Sequence, residues 1–332
     1  MPLTYTNPVW PGYFADPFVL RWQDDYYAYG TGSRDDVTGR VFPVLHSKDL
    51  VNWEKVGGAL TPLTDGSTDY WAPEVAARDG KFYLYYSAAG GTGTDGAGDE
   101  THRLRVAVAD HPAGPFTDSG HLLLPDEGFT IDAHPFQDPK DGQWYLFFAR
   151  DFFDARVGTA LAVAPLSDDM LSLSGPVTTA LRPSADWQIY ERDRTHYTQK
   201  WEAWHTVEGA FVVPHAGRYW LLYSGGAWTG PEYGVGCAVA DSVLGPYTEP
   251  VGGPVVLRGV PGHVAGPGHN SVVRGPGGSG EFIVYHAWDM AHTARRLCID
   301  PLVWTPDGPR CAGPTWTPQE IPIPSGSPII GG

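Results

Sequence analysis

Apolar residues fall along this 332-residue chain in short runs, each closed by a cluster of Gly, Pro, Asn or Asp. No long stretch repeats its apolar positions with a helical period, so the pattern predicts many short β-strands joined by tight turns. The runs recur in a fixed order: a polar residue leads an apolar strand, a turn follows, and an aromatic strand returns. Thr206-Val207-Glu208-Gly209-Ala210-Phe211-Val212-Val213, followed by Arg218-Tyr219-Trp220-Leu221-Leu222-Tyr223-Ser224, is the clearest case. Asp16, Glu74 and Asp132 lead similar pairs before it, and His269 leads one after it. The leaders are separated by 58, 58, 76 and 61 positions (16 to 74, 74 to 132, 132 to 208, 208 to 269). Each of the five repeats holds a second half with strand character: Val41–Ser47, Leu104–Ala109, Thr159–Ala164, Val235–Ala240 and Leu297–Trp304. A unit of four short strands takes roughly 40–50 residues, more when its loops are elaborated. The expected fold is therefore all-β, a five-bladed β-propeller in which each blade is a four-stranded antiparallel sheet. One domain would span residues 1–332, with a closing tail from about 305 to 332. A β-sandwich would account for the strands but not for a polar residue at the head of every repeat.

Two stretches break the rhythm. Residues 90–100 are rich in Gly, Thr and Asp and are expected to form a mobile loop. Residues 184–205 set Trp187, Tyr190, Tyr197, Trp201 and Trp204 among charges just ahead of Glu208. This insertion either overhangs the centre of the molecule or clasps two blades together.

Composition narrows the partners. A formal net charge of −16 excludes the phosphate backbone of nucleic acid and provides no polybasic patch for a membrane surface. No run approaches the roughly twenty apolar residues of a membrane span. Met1-Pro2-Leu3-Thr4-Tyr5 has neither a basic segment nor an apolar run, which gives a cytoplasmic expectation for the chain as it stands and a secreted one if a leader was removed. The three cysteines, Cys237, Cys298 and Cys311, include no C-x-x-C pair, and the first two sit in apolar runs as expected of inert buried thiols. Thirteen Trp and seventeen Tyr exceed the needs of a core and would suit stacking on sugar faces, although a propeller core also consumes aromatics.

In a propeller the innermost strand of each blade lines the axis, so Asp16, Glu74, Asp132, Glu208 and His269 would converge on one pocket. Several carboxylates facing one concavity repel each other, and at least one should keep its proton near neutrality. Glycosidic bond cleavage needs that combination, a protonated acid for the leaving oxygen and an ionised base for water.

At this point a family resemblance emerges. Asn7-Pro8-Val9, Ala15-Asp16-Pro17, Tyr26-Tyr27 and Trp71-Ala72-Pro73-Glu74 resemble glycoside hydrolase family 43. So do Ile131-Asp132, Glu208-Gly209, Gly268-His269-Asn270 and Ile299-Asp300-Pro301-Leu302-Val303-Trp304, in the expected order along nearly the whole chain. The resemblance implies a five-bladed propeller and an inverting, exo-acting hydrolase of arabinose- or xylose-containing oligosaccharides, with no cofactor required for the chemistry. It implies Asp16 as general base, Glu208 as general acid with Gly209 leaving room for the sugar, and Asp132 as the carboxylate that orients the acid and raises its pKa. Ala133-His134 follows Asp132 where relatives often have Pro, which would bring His134 toward the sugar. Trp71 would stack on the terminal ring. Of the adjacent Arg295 and Arg296 only one can point inward, and Arg296 is expected to contact substrate. His269 resembles an axial histidine that in many relatives neighbours a bound cation, often calcium, or a water cluster. A lone imidazole does not specify Ca²⁺, and a hydrogen-bonded core histidine is the competing reading. Glu74 is expected to tie strands together and not to act in catalysis.

The leading expectation is release of terminal α-L-arabinofuranosyl residues, with β-D-xylosidase activity as the near alternative. A non-catalytic carbohydrate-binding propeller and a protein-interaction propeller are rivals from other classes. The first would dispense with one of the three carboxylates, and the second would have no use for divergent polar residues at the blade entrances.

Overall fold

Apolar runs rich in aromatic and β-branched residues form the strands, several of them buried on both faces, and the segments pair as antiparallel ladders. The computed structural model describes residues 3–90, 101–250, 253 and 255–321. Near the N-terminus β1 (Leu3–Tyr5) pairs with the last strand, β22 (Gln319–Ile321). The next four strands form one sheet in sequence order: β2 (Ala15–Trp22), β3 (Asp25–Thr31), β4 (Val41–Ser47) and β5 (Glu54–Leu60). A second sheet repeats this order with β6 (Ser67–Arg78), β7 (Lys81–Gly90), β8 (Arg103–Ala109) and β9 (Thr117–Leu122). An eight-stranded sheet follows. It comprises β10 (Thr130–Gln137), β11 (Trp144–Phe152), β12 (Gly158–Pro165) and β13 (Thr178–Leu181), then β14 (Ile189–His196), β15 (Gln199–His215), β16 (Arg218–Gly225) and β17 (Gly234–Ala240). Its halves are joined by a short parallel pairing of β12 with β15, at Gly158 opposite His205. A Cβ at Gly158 would lie 2.0 Å from the His205 carbonyl oxygen, so only glycine permits that seam. The final sheet is β18 (Ala265–Arg274), β19 (Glu281–Trp288), β20 (Arg295–Thr305) and β21 (Gly308–Cys311).

The all-β expectation holds, and helix among the described residues amounts to short 3₁₀ turns such as Asp186–Gln188 and Pro276–Gly278. None is long and apolar enough to cross a membrane. The core lies between sheets. Phe18, Tyr29, Phe42, Tyr70, Phe82 and Tyr86 fill the space between the first and second sheets, while Phe14, Val19, Leu297 and Ile299 join the first to the last. The leading strands pack on one another in a closed cycle: β2 on β6, β6 on β10, β10 on β15, β15 on β18, and β18 on β2.

Each leading strand carries a bulge at an equivalent place. The pairing slips between Ala15 and Phe18, Trp71 and Glu74, Ile131 and His134, Glu208 and Phe211, and Gly268 and Ser271. The residue at each slip has positive φ: Asp16 (49°), Ala72 (48°), Asp132 (57°), Gly209 (58°) and His269 (48°). These five are the equivalent positions, a correction to the leaders inferred from sequence. Glu208 precedes its bulge residue by one, as Trp71 does, and Glu74 follows its own by two. A bulge lifts an amide out of the ladder and re-aims the neighbouring side chains, so the freed N–H needs another acceptor. Four of the five amides donate to a side chain of the preceding sheet or half-sheet. Asp16 N–H donates to His286 Nδ1 (3.1 Å), Ala72 N–H to Thr31 Oγ1 (2.9 Å), Gly209 N–H to Asp132 Oδ2 (3.0 Å) and His269 N–H to Ser224 Oγ (2.7 Å).

The expected loop at 90–100 lies outside the described residues apart from Gly90, which ends β7. Of the tail, residues 322–332 also lie outside, while β22 returns to pair with β1. The 184–205 insertion forms the β14–β15 hairpin and divides its aromatics. Tyr197, Trp201 and Trp204 gather around Phe153, whereas Tyr190 lines the central cleft. Cys237 and Cys298 are buried and unpaired, as expected.

Candidate active site

The bulged ends of the leading strands open into a cleft of about 610 Å³, within the usual size range of small-molecule sites. Asp16, Asp132, Glu208, His269, Trp71 and Arg295 all line it. The three carboxylates expected to act together therefore share one cavity, although 116 positions separate Asp16 from Asp132 and 76 separate Asp132 from Glu208. Trp71 presents an indole backed by His102, with the two rings stacked at 3.5 Å.

Their environments differ, and the differences sort them chemically. Burial alone would raise the Asp16 carboxyl, but the Arg295 guanidinium, with His269 and His286, holds it well below the usual carboxylate range. Arg295 Nη1 donates to Asp16 Oδ1 at 2.9 Å, and Nη2 donates to Tyr13 Oη at 2.9 Å. The same guanidinium lies over the Trp228 ring, 4.4 Å from its centroid. Burial pushes the Glu208 carboxyl up to about 7. The Tyr233 hydrogen bond and Arg295 pull against that rise, and the Asp16 charge adds to it. Asp132 is pushed well above its ordinary value by burial first, then by the charges of Glu208 and Asp16. Its Oδ2 accepts the Gly209 N–H, the peptide immediately after Glu208, so Asp132 holds the backbone that carries Glu208.

His269 Nδ1 lies 3.4 Å from Asp16 Oδ1 and 3.9 Å from Asp132 Oδ2, between the two aspartates. Burial lowers its pKa, with Asp16 opposing the shift, which favours the neutral ring. The missing side chain of Gly209 makes room for this imidazole, because a Cβ there would stand 3.3 Å from the His269 ring. Calcium takes 6–8 oxygen ligands. Among the described residues no three His, Cys, Asp or Glu side chains are grouped to hold a metal ion, and Asp16 is already engaged by Arg295. The residues around His269 do not fit a protein cage for calcium, and no step of the chemistry is routed through one.

Two other expectations are corrected. Arg296 does not enter the cleft; its guanidinium bonds the Pro11 carbonyl and the Asp289 carboxylate, and of the adjacent pair it is Arg295 that lines the cleft. Strand alternation explains the choice. Arg295 shares a strand face with Leu297 and Ile299, which pack toward the first sheet where Asp16 sits. His134 does not reach the sugar space. Its Nδ1 is 2.7 Å from Glu74 Oε2, its Nε2 accepts the Val212 N–H (3.1 Å), and Phe211 covers its ring at 4.4 Å. Both ring nitrogens are thus used within the protein. Glu74 ties strands together as expected, through His134. With Phe18 and Phe211 this pair forms a second ring of side chains two residues beyond the bulges.

Sequence reasoning did not single out Tyr13, Trp228, Tyr233 or His286. His286 stands in the aromatic return strand of the last repeat, and a polar residue inside such a run is the only signal it gave.

Comparison with known proteins agrees with this arrangement. The family model described as glycosyl hydrolases family 43 matches residues 5–309. A β-D-galactofuranosidase of Aspergillus niger is 30% identical over 322 residues, covering 91% of this chain and 83% of the relative. An extracellular exo-α-(1→5)-L-arabinofuranosidase of Streptomyces chartreusis is 27% identical over 86% of this chain and 83% of its own length. The crystal structure of a thermostable family-43 glycoside hydrolase superposes with a TM-score of 0.82 at 34% identity, covering 96% of this chain and 99% of that one. With its carboxylates gathered in one cleft and the family match running through nearly all of its length, the chain belongs to glycosyl hydrolases family 43 and is a glycoside hydrolase.

Proposed function

We propose that this hydrolase is an inverting exo-glycosidase releasing terminal α-L-arabinofuranosyl residues from arabinan or arabinoxylan oligosaccharides, on a single five-bladed propeller. The closed cycle of leading strands supports the architecture. The observation that carries the mechanism is the opposed state of two carboxyls in one cleft: Asp16 ionised against Arg295, and Glu208 still protonated near neutrality. Asp16 activates a water, Glu208 protonates the leaving oxygen, and Asp132 holds the peptide behind the acid. Trp71 offers its face to the terminal ring. Tyr190 and Trp228 stand on the walls of both the main cleft and a smaller adjoining cavity that Glu208 also lines, which makes that side suited to the leaving group.

Furanosides are favoured because two relatives are named for furanosyl substrates. A β-D-galactofuranosyl ring has the same ring stereochemistry as α-L-arabinofuranosyl and differs by its exocyclic carbon chain, so β-D-galactofuranosidase activity is a second reading. The deciding experiment is proton NMR of first-formed sugar from an arabinan oligosaccharide, a β-galactofuranoside and xylobiose in parallel. Initial β-L-arabinofuranose, inverted from the α-linked substrate, is the expected result. Retained configuration would remove the inverting assignment, and product from xylobiose alone would make the enzyme a β-D-xylosidase. The absence of product from all three would place the substrate among other glycans.

The pH profile follows from the same two groups. Activity requires Asp16 ionised and Glu208 protonated, so kcat/KM should stay high well into the acid range and fall as pH rises through about 7. A basic limb far from 7 would remove Glu208 from the role of acid.

A further inference from the structure

Tyr233 lies on no strand that leads into the cleft, yet its hydroxyl donates to Glu208 Oε1 at 2.7 Å. The side chain is almost completely buried, 1% exposed. Burial and the adjacent Glu208 charge push its own pKa well above 10, so the phenol stays neutral and keeps the proton that it donates. Two features fix the ring. It lies parallel to the His286 imidazole at 5.9 Å with an interplanar angle of 4°. It also occupies the place of a side chain at position 268, where a Cβ on Gly268 would stand 2.2 Å from Tyr233 Cε1. His286 in turn accepts the Asp16 N–H. The stacked pair therefore connects the strand end that carries one carboxylate to the side chain of the other.

We propose that Tyr233 is the positioning residue of Glu208, holding Oε1 as the acceptor so that the transferable proton sits on Oε2. A neutral carboxylic acid has one carbonyl-like and one hydroxyl oxygen, and a phenol donating to Oε1 leaves Oε2 to carry the hydrogen. In the step, the bond from the anomeric carbon to the leaving oxygen breaks and its electron pair goes to that oxygen. The proton moves from Oε2 to the same oxygen, and Glu208 is left as a carboxylate. The Tyr233 bond then becomes charge-assisted and strengthens as negative charge develops on Glu208, so it favours the transition state over the ground state. This role rests on the assignment of Glu208 as the acid.

Tyr233→Phe keeps the ring and its stack and removes only the hydroxyl, which makes it the test. The first readout needs no substrate: ¹³C NMR titration of the glutamate carboxyls, with Glu208→Gln identifying the Glu208 signal. The expected result is an upward move of the Glu208 midpoint by about one unit or more, the loss of a hydrogen bond to a charged group. The second readout is kinetic, on whichever of methyl and 4-nitrophenyl α-L-arabinofuranoside, β-D-galactofuranoside or β-D-xyloside the wild type hydrolyses. The variant should lose about tenfold or more in kcat on the methyl glycoside, far less on the nitrophenyl glycoside, and its basic limb should move up. An unmoved midpoint would reduce Tyr233 to a packing residue. A moved midpoint with no effect specific to the poor leaving group would overturn the proposal and also remove Glu208 from the acid role. Failure of the wild type on the arabinoside alone would touch only the choice of sugar.

Discussion

Glu208→Gln should lower kcat on a natural oligosaccharide by about 10²–10⁴-fold, the usual contribution of a positioned acid. Glutamine can still accept the Tyr233 O–H and keeps nearly the same shape, so the local structure should survive the change. What it lacks is a transferable proton. Sugar binding should therefore persist when measured by calorimetry while turnover collapses, a split expected of an enzyme and meaningless for a binding scaffold. The deficit should shrink on a 4-nitrophenyl glycoside, whose phenolate leaves without assistance. Undiminished turnover on the oligosaccharide would sink the assignment of the acid.

The companion change, Asp16→Asn, should be equally severe and should not recover on the better leaving group, because the missing function is activation of water. Together the two substitutions distinguish the ends of the reaction by leaving-group dependence alone. Asp132 sits between them in effect. It accepts the N–H of the peptide after Glu208, so its loss should act through the placement of that residue.

Much of this site was visible in the order of residues, and the reason lies in the bulges. A polar residue at the head of each apolar strand marks where the ladder must break, and Asp16, Asp132 and His269 stand at those breaks. Glu208 was found for a different reason than its true register, since it precedes its bulge and shares the station of Trp71. Glu74 looked like a member of the ring of leaders and His134 like a sugar contact, but both lie two residues beyond a bulge, where their side chains meet each other under Phe211. A polar residue near a bulge can face the cleft or the layer beneath it, and a one-residue slip in pairing decides which. Tyr233 and His286 were not legible, because they reach Glu208 and the Asp16 amide from elements whose place is set only when neighbouring sheets pack.

Arg295→Met should produce the largest combined loss of stability and of activity, and here the structure reverses the sequence expectation. The Asp16–Arg295 pair is about 90% shielded on both sides. Removing one member of such a pair leaves the other charge buried and uncompensated, typically about 3–5 kcal/mol. His269 and His286 remain near Asp16, but burial lowers the pKa of both, to about 4 for His286, so neither supplies a lasting positive charge near neutrality. The Asp16 pKa should rise, because the group that opposed the effect of burial is gone. The acid limb of kcat/KM should then move to higher pH, narrowing the active window from below while the limb set by Glu208 stays closer to its place. Arg296→Met provides the control. Its partners are the Pro11 carbonyl and Asp289 outside the cleft, so it should cost about 1 kcal/mol or less and leave the pH profile unmoved. The pair can also be separated from general damage by a double-mutant cycle. Asp16→Asn combined with Arg295→Met should recover part of the stability lost in Arg295→Met alone, since no buried carboxylate is then left unpaired. Additive losses in denaturant titrations would show that Arg295 acts through Tyr13 and Trp228 and not through the charge on Asp16.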